Sequence, residues 1–241
     1  METLAFIFAN LGPIARLTLQ HIEIVTVGVG LAILTGVPLG IAITTNARLA
    51  KAVLYIAAIL MTIPSVALFG IMIPVLSTIG QGIGFLPTVI ALFLYSQLPI
   101  VRNTYTAITH IDPALREAAL GMGMTTHERL WQVEIPIALP IIMAGVRMAV
   151  VINVGIAAIA AYIGAGGLGK LISRGISQSD PRQLIAGAIL VSLLAIAADL
   201  GLGWVQRRLT PKGLRSPKRR ITLRLGTLTG FRKSTPHAHQ S

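Results

Sequence analysis

What is scarce in this 241-residue chain narrows its possibilities first. It has no cysteine, which excludes a disulfide framework and a thiolate metal site. Charged residues are 12% of the total, whereas soluble domains carry roughly a quarter. Acids number only 8 and never cluster within an apolar run, so an intramembrane enzyme built on paired carboxylates is disfavoured. No GxxxxGK[ST] loop is present to cradle ATP phosphates, and neither HExxH nor a serine elbow occurs. Aromatic residues are 5%, too few and too scattered to interleave with basic residues as nucleic-acid stackers.

What remains is apolar: 54% of residues are hydrophobic and mean hydropathy is +0.78. A helix crosses the hydrocarbon core with about 20 apolar residues. Five runs qualify, at 22–44, 52–79, 85–108, 136–163 and 184–206. The expected fold is therefore an all-α integral membrane protein of about five spans, six at most, within a transmembrane domain over 21–206. The run 52–79 is long enough to tilt or bend, and Pro64 supplies a kink. Residues 1–20, with Gly12, Pro13 and Arg16, read as a peripheral helix. They lack a basic leader and a small-residue cleavage site, so the first span is expected to stay in the mature protein.

The charge of +12 is uneven, because ten of the 20 Lys and Arg residues follow Trp204. This basic tail, 207–241, is expected to be disordered and to lie on anionic lipid rather than on nucleic acid. Basic residues in short loops set orientation. The tail, Arg48, Lys51, Arg116 and Arg129 place the C-terminus in the cytoplasm and the N-terminus outside, while Lys170, Arg174 and Arg182 are a weak counter-signal. The expected location is a plasma membrane.

A polar island interrupts the apolar chain between the third and fourth runs, over 109–135. Asp112 can cap a helix opened by Pro113. Gly121 and Gly123 would end it, and Thr125 with Glu128 has the spacing of a capping box for a second short helix. Pro136 would then start the next span. Two short helices bent at a glycine and held flat between spans make a docking element for something in the water phase.

Glu117-Ala118-Ala119, Gly123, Val133, Ile135 and Pro136 fall in a fixed spacing that closely resembles the "EAA" coupling loop of type I ABC importer permeases, with Ile135 where leucine is usual. Further segments resemble the osmoprotectant branch for glycine betaine, choline and proline. They are Leu17-Thr18-Leu19-Gln20-His21, Gly36-Val37-Pro38-Leu39-Gly40, Thr62-Ile63-Pro64-Ser65, Ala144-Gly145-Val146-Arg147 and the run from Tyr162 to Gly169. Methionine-importer permeases share the glycine-rich run more loosely, so a permease for methionine or another amino acid is the alternative. The resemblance implies cytoplasmic ATPase subunits that bind ATP and Mg, a second permease subunit (identical or paralogous) and an extracytoplasmic solute-binding protein. No cofactor is expected in this chain. A passive channel or secondary carrier would need no such loop and often shows an inverted repeat, which is not evident here.

Within the spans, Gly36 and Gly40 form a GxxxG pair suited to helix packing. Arg147 would sit roughly 15 Å from the cytoplasmic end of its span, where an arginine costs about 2.5–3.5 kcal/mol and calls for a partner. Asp199 is the acid deep enough to serve, in a pair or a network that includes Asn153. Pro64, Arg147, Asn153, Gly166, Gly167 and Asp199 are the pathway or gate candidates, although Gly164 to Gly167 would serve equally to end a helix. A quaternary-amine solute is commonly held in an aromatic cage; with so few aromatics the high-affinity site is expected in the binding protein. His127, His237 and His239 read as solvated, not as metal ligands.

Overall fold

A computed structural model describes residues 2–210. Among them every regular element is helical: α1 Glu2–Ala9, α2 Leu11–Ala42, α3 Ala47–Thr62, α4 Ser65–Ser77, α5 Phe85–Thr109, α6 Pro113–Gly121, α7 Thr126–Arg129, α8 Ile135–Ile159, α9 Gly169–Ser177 and α10 Pro181–Leu209. Most of the tail expected at 207–241, with His237 and His239, lies outside the described residues, although Arg207 and Arg208 belong to the last turn of α10.

Helix α5 is the hub. It packs against α2, α3 and α8 and buries residues on most of its circumference, from Pro87 to Ile108. Its neighbours reach it through small residues. A Cβ on Gly36 would lie 3.0 Å from Ile100, and one on Gly40 would lie 2.6 Å from Thr104. The stripe of small buried residues extends to Gly28 and Ala32, so α2 presents a smooth seam every fourth residue. On the other side, Gly145 of α8 admits the Pro99 carbonyl and the Asn103 side chain.

Four helical stretches are long and apolar enough to span, and α3 with α4 makes a fifth crossing. That pair differs from the single kinked span expected over 52–79: the two helices meet at 95°. The near end of α3 packs against Ile43, Val101 and Tyr105, beside the late half of α5. The α4 side packs against Ala91 and Ala160, and the loop beyond it hydrogen-bonds from the Gly84 N–H to the Ile163 carbonyl at 2.8 Å. The pair thus begins on one face of the bundle and ends on the other, as a broken span does and a re-entrant loop does not. Pro64 has no N–H to continue the ladder. The Tyr95 hydroxyl instead donates to the Ile63 carbonyl at 2.5 Å, which satisfies the break.

The first span also differs from its expected start at residue 22. Helix α2 runs unbroken from Leu11, and the N-terminal segment bends at Asn10. Gly12 and Pro13 fall in the first turn of α2, where a proline is tolerated. Ile14 packs with Leu168 and Leu171, which puts the start of α2 on the same face as the loop after α8 and opposite the island.

Candidate functional site

The island forms a bent surface segment tied into the bundle at both ends. Asp112 accepts from the Ala114 N–H at 2.9 Å and opens α6, with Pro113 in the first turn. Ala119 is buried, whereas Glu117 and Ala118 face outward. Gly123 has φ of +80°, which side chains with a Cβ rarely adopt, while the space around it is open. The backbone turn, not crowding, is what requires glycine there. Thr125 and Glu128 form the reciprocal cap, with the Thr125 N–H donating to Glu128 Oε2 at 2.8 Å. Hydrogen bonds from the Thr125 backbone and hydroxyl hold the Glu128 carboxyl below the usual carboxylate range.

The next span does not begin afresh at Pro136. Residues Leu130–Glu134 form a π-helical turn that joins α7 to α8 without interruption. The wider turn rotates Glu134 inward, where it is 4% exposed. Its Oε1 accepts from Arg129 Nε at 2.9 Å and lies 3.1 Å from Arg116 Nε. Arg116 also donates to the Ile108 carbonyl at 2.7 Å, at the end of α5. One buried carboxylate therefore gathers α6, α7 and the start of α8, and Arg116 extends the grip to α5. Sequence reasoning missed this residue. The signal was a lone acid in the apolar Val133–Pro136 stretch, and the π turn hid its partners by changing the helical spacing. Val133, Ile135 and Pro136 are partly buried on the same joint.

Between α8 and α10, half-buried, Arg147 and Asp199 pair through two parallel bonds of 2.8 and 2.7 Å. Gly203 lets the guanidinium lie across α10, its Cβ position being 3.2 Å from the Arg147 Cζ. Arg147 donates further to Gln206, which donates to the Pro140 carbonyl, so the network braces α8 against α10. Asn153, expected as a possible member, stands apart. It is fully buried and donates to Ser96 Oγ of α5 at 2.7 Å, a local α5–α8 link two turns away.

On the opposite face, the glycines divide their labour. Gly164, with φ of +84°, caps the helical turn Ala160–Ile163. Gly166 and Gly167 are buried, also with positive φ, and their Cβ positions lie 3.0 Å from Gln20 Oε1 and 2.9 Å from His21 Nδ1. His21 is fully buried: its Nδ1 accepts from the Leu168 N–H at 3.2 Å, which leaves Nε2–H to donate to the Val154 carbonyl at 3.1 Å. This histidine fastens the glycine-rich loop to α2 and α8. Pro64 lies at the α3–α4 break, where the preceding Ile63 packs in one cluster with Ile163 and Ala165. His127 packs beside Trp131 with ring centroids 6.1 Å apart, and no group of three or more potential metal ligands occurs among the described residues.

Comparison with known proteins agrees with this architecture. The family described as binding-protein-dependent transport system inner membrane component matches residues 32–211. The osmoprotectant import permease protein OsmW of Salmonella typhimurium (strain LT2) is 57% identical over 215 residues, covering 89% of this chain and 100% of that one. The glycine betaine/carnitine/choline transport system permease protein OpuCB of Bacillus subtilis (strain 168) is 47% identical over 137 residues, or 57% of this chain and 63% of that one. Among solved structures, the inward-facing MetNI methionine ABC transporter superposes with a TM-score of 0.73 at 24% identity, over 83% of this chain and 99% of that one, a likeness of fold. The chain belongs to the binding-protein-dependent transport inner membrane components, as a type I ABC importer permease of the osmoprotectant branch.

Proposed function

We propose that this chain forms the translocation pathway of an ATP-driven importer for a small osmoprotectant such as glycine betaine, choline, carnitine or proline. It has no catalytic site of its own. ATP and Mg are bound by cytoplasmic partner subunits, and solute is delivered by an extracytoplasmic binding protein. Five crossings are too few to enclose a gated pathway, so two permease subunits assemble. The basic tail and the loops bearing Arg48, Lys51, Arg116 and Arg129 face the cytoplasm, and the N-terminus faces outward.

The observation that carries this reading is the segment from Asp112 to Pro136. Its outer face exposes Glu117 and Ala118 alongside Leu115, Leu120, Met122 and Trp131, an apolar surface with no cover among the described residues. Its inner face is fastened to α5 and α8 through Glu134. A motor subunit that grips the outer face would move both spans. The names of the relatives favour osmoprotectants over methionine, because the likeness to the methionine transporter is one of fold alone.

Glu117→Arg and Gly123→Leu test it. Solute uptake and solute-stimulated ATP turnover in the reconstituted transporter are expected to fall at least about tenfold, the scale of a lost interface hot spot. Insertion and folding of the permease are expected to survive, because both sites are exposed and the strain of a side chain at the positive φ of Gly123 is confined to a surface turn. Uptake at the wild-type rate would reject the reading.

A further inference from the structure

The apolar stretch that contains α2 runs from Leu11 to Thr45, 35 residues in all. Arg48 follows one end of it, and Arg16 lies near the other. From Thr45 back to Arg16 is roughly 44 Å along the helix, against about 40–45 Å for a bilayer with its headgroups. Both arginines therefore fall at headgroup level, on opposite faces. The surroundings of Arg16 agree. Leu19, one turn further in, is 67% exposed, and Leu11 and Phe8 at the α1–α2 junction are 56% and 70% exposed. Bare apolar surface costs about 25 cal/mol per Å² in water, a cost that acyl chains reaching these side chains would remove.

At this level α2 and α9 enclose a recess of about 530 Å³, lined by Arg16, Lys170 and Arg174 together with Gly12, Leu17 and Gln20. The side chains of the three cations make no hydrogen bond or ion pair among the described residues. The acids nearby are engaged or distant. Asp180 is held by Arg182 at 3.1 Å, in a separate recess that also takes Glu2. Glu23 lies two turns along α2 from Arg16, about 10 Å away. Like charges gathered without an acid repel one another, and an anion among them removes that cost. Gly12 keeps one wall low, with nothing within 4 Å of its Cβ position. Gln20 accepts from the Gly167 N–H at 3.4 Å, so an anion held here would tie α2 to α9 beside the glycine-rich loop.

We propose that the Arg16–Lys170–Arg174 recess binds the headgroup phosphate of an anionic phospholipid from the leaflet on the α9 face. The bare Phe8, Leu11 and Leu19 meet the acyl chains around it. The site needs the membrane spans but not the importer reading, so either can fail without the other. It is tested on the complete transporter in detergent, titrated with dioctanoyl-phosphatidylglycerol, with retained lipids counted by native mass spectrometry. Wild type is expected to keep at least one more of these lipids per permease chain than Arg16→Gln/Lys170→Gln/Arg174→Gln. The apparent affinity of that triple variant should be at least about tenfold weaker. Dioctanoyl-phosphatidylcholine and inorganic phosphate should each bind wild type at least about tenfold more weakly than phosphatidylglycerol does, the first for want of net charge and the second for want of chains. Arg48→Gln/Lys51→Gln, on the opposite face, should leave the lipid in place. Arg174→Glu alone, at an exposed position, should weaken binding without threatening the fold, and Arg174→Lys should retain it. Equal retention by the triple variant and wild type would overturn the inference; weakened affinity of that variant for the solute-binding protein would then assign the recess to a protein partner. Inorganic phosphate bound as tightly as phosphatidylglycerol would overturn it too, because the recess would then serve a free anion.

Discussion

Glu134 shows how much a single side chain can organise. Its carboxylate lies among Arg116, Arg129 and the end of α5, with 6% of the side chain exposed. Glu134→Gln keeps the shape and removes the charge, leaving two guanidiniums without their counter-ion. The expected cost is about 1–3 kcal/mol of local stability, the price of losing a buried charged acceptor. The diagnostic effect is on coupling: ATP turnover should persist while solute uptake per ATP falls, read by transport stoichiometry in proteoliposomes. Uptake per ATP at the wild-type value would show that the clamp is dispensable. Asp112 and Thr125 were legible as caps because capping depends on near neighbours in sequence. Glu134 was not, because its ligands come through a π turn and from a helix 18 residues earlier.

At the scale of elements, two contacts set the geometry. The seam between α2 and α5 leaves no room at Gly40, where a Cβ would meet Thr104 at 2.6 Å. Gly40→Val should separate the helices and destabilise the fold by about 1–3 kcal/mol, as overpacking does. A lower melting temperature in detergent would register it, and an unchanged one would contradict the seam. The Arg147–Asp199 brace joins α8 to α10. Arg147→Asp and Asp199→Arg should each impair accumulation in the membrane, and the two together should restore it; a double swap that accumulates no better than the single variants would count against the brace. This pair was readable because α10 offers one acid at the right depth. The 95° break at Pro64 was not: proline announces a disturbance but no angle, and the Tyr95 hydroxyl that meets the Ile63 carbonyl there comes from far along the chain. The early start of α2 was hidden for a similar reason. Arg16 and Glu23 lower the hydropathy of a helix that continues past the hydrocarbon.

For the whole molecule, relative sidedness follows from packing. The island and the C-terminal end of α2 share one face; α9, the glycine-rich loop and the start of α2 share the other. Hydropathy located the crossings because the bilayer imposes one length on each. It could not fix which face is inside, where charge gave opposing signals. The absence of cysteine makes the absolute orientation simple to measure. A membrane-impermeant maleimide is expected to label Ser179→Cys in intact cells and His127→Cys only after permeabilisation. The reverse pattern would invert every assignment of face made above.

The junction between α7 and α8 has a mechanical corollary. From Thr126 to Ile163 the backbone winds for 38 residues with changes of pitch but no gap, a rod of roughly 57 Å. Displacing its lower tip must shift its upper tip in the same stroke, since no slack loop intervenes to absorb travel. Conformational news would then cross the bilayer along the main chain itself, with side chains serving only to keep the rod seated in its bearing.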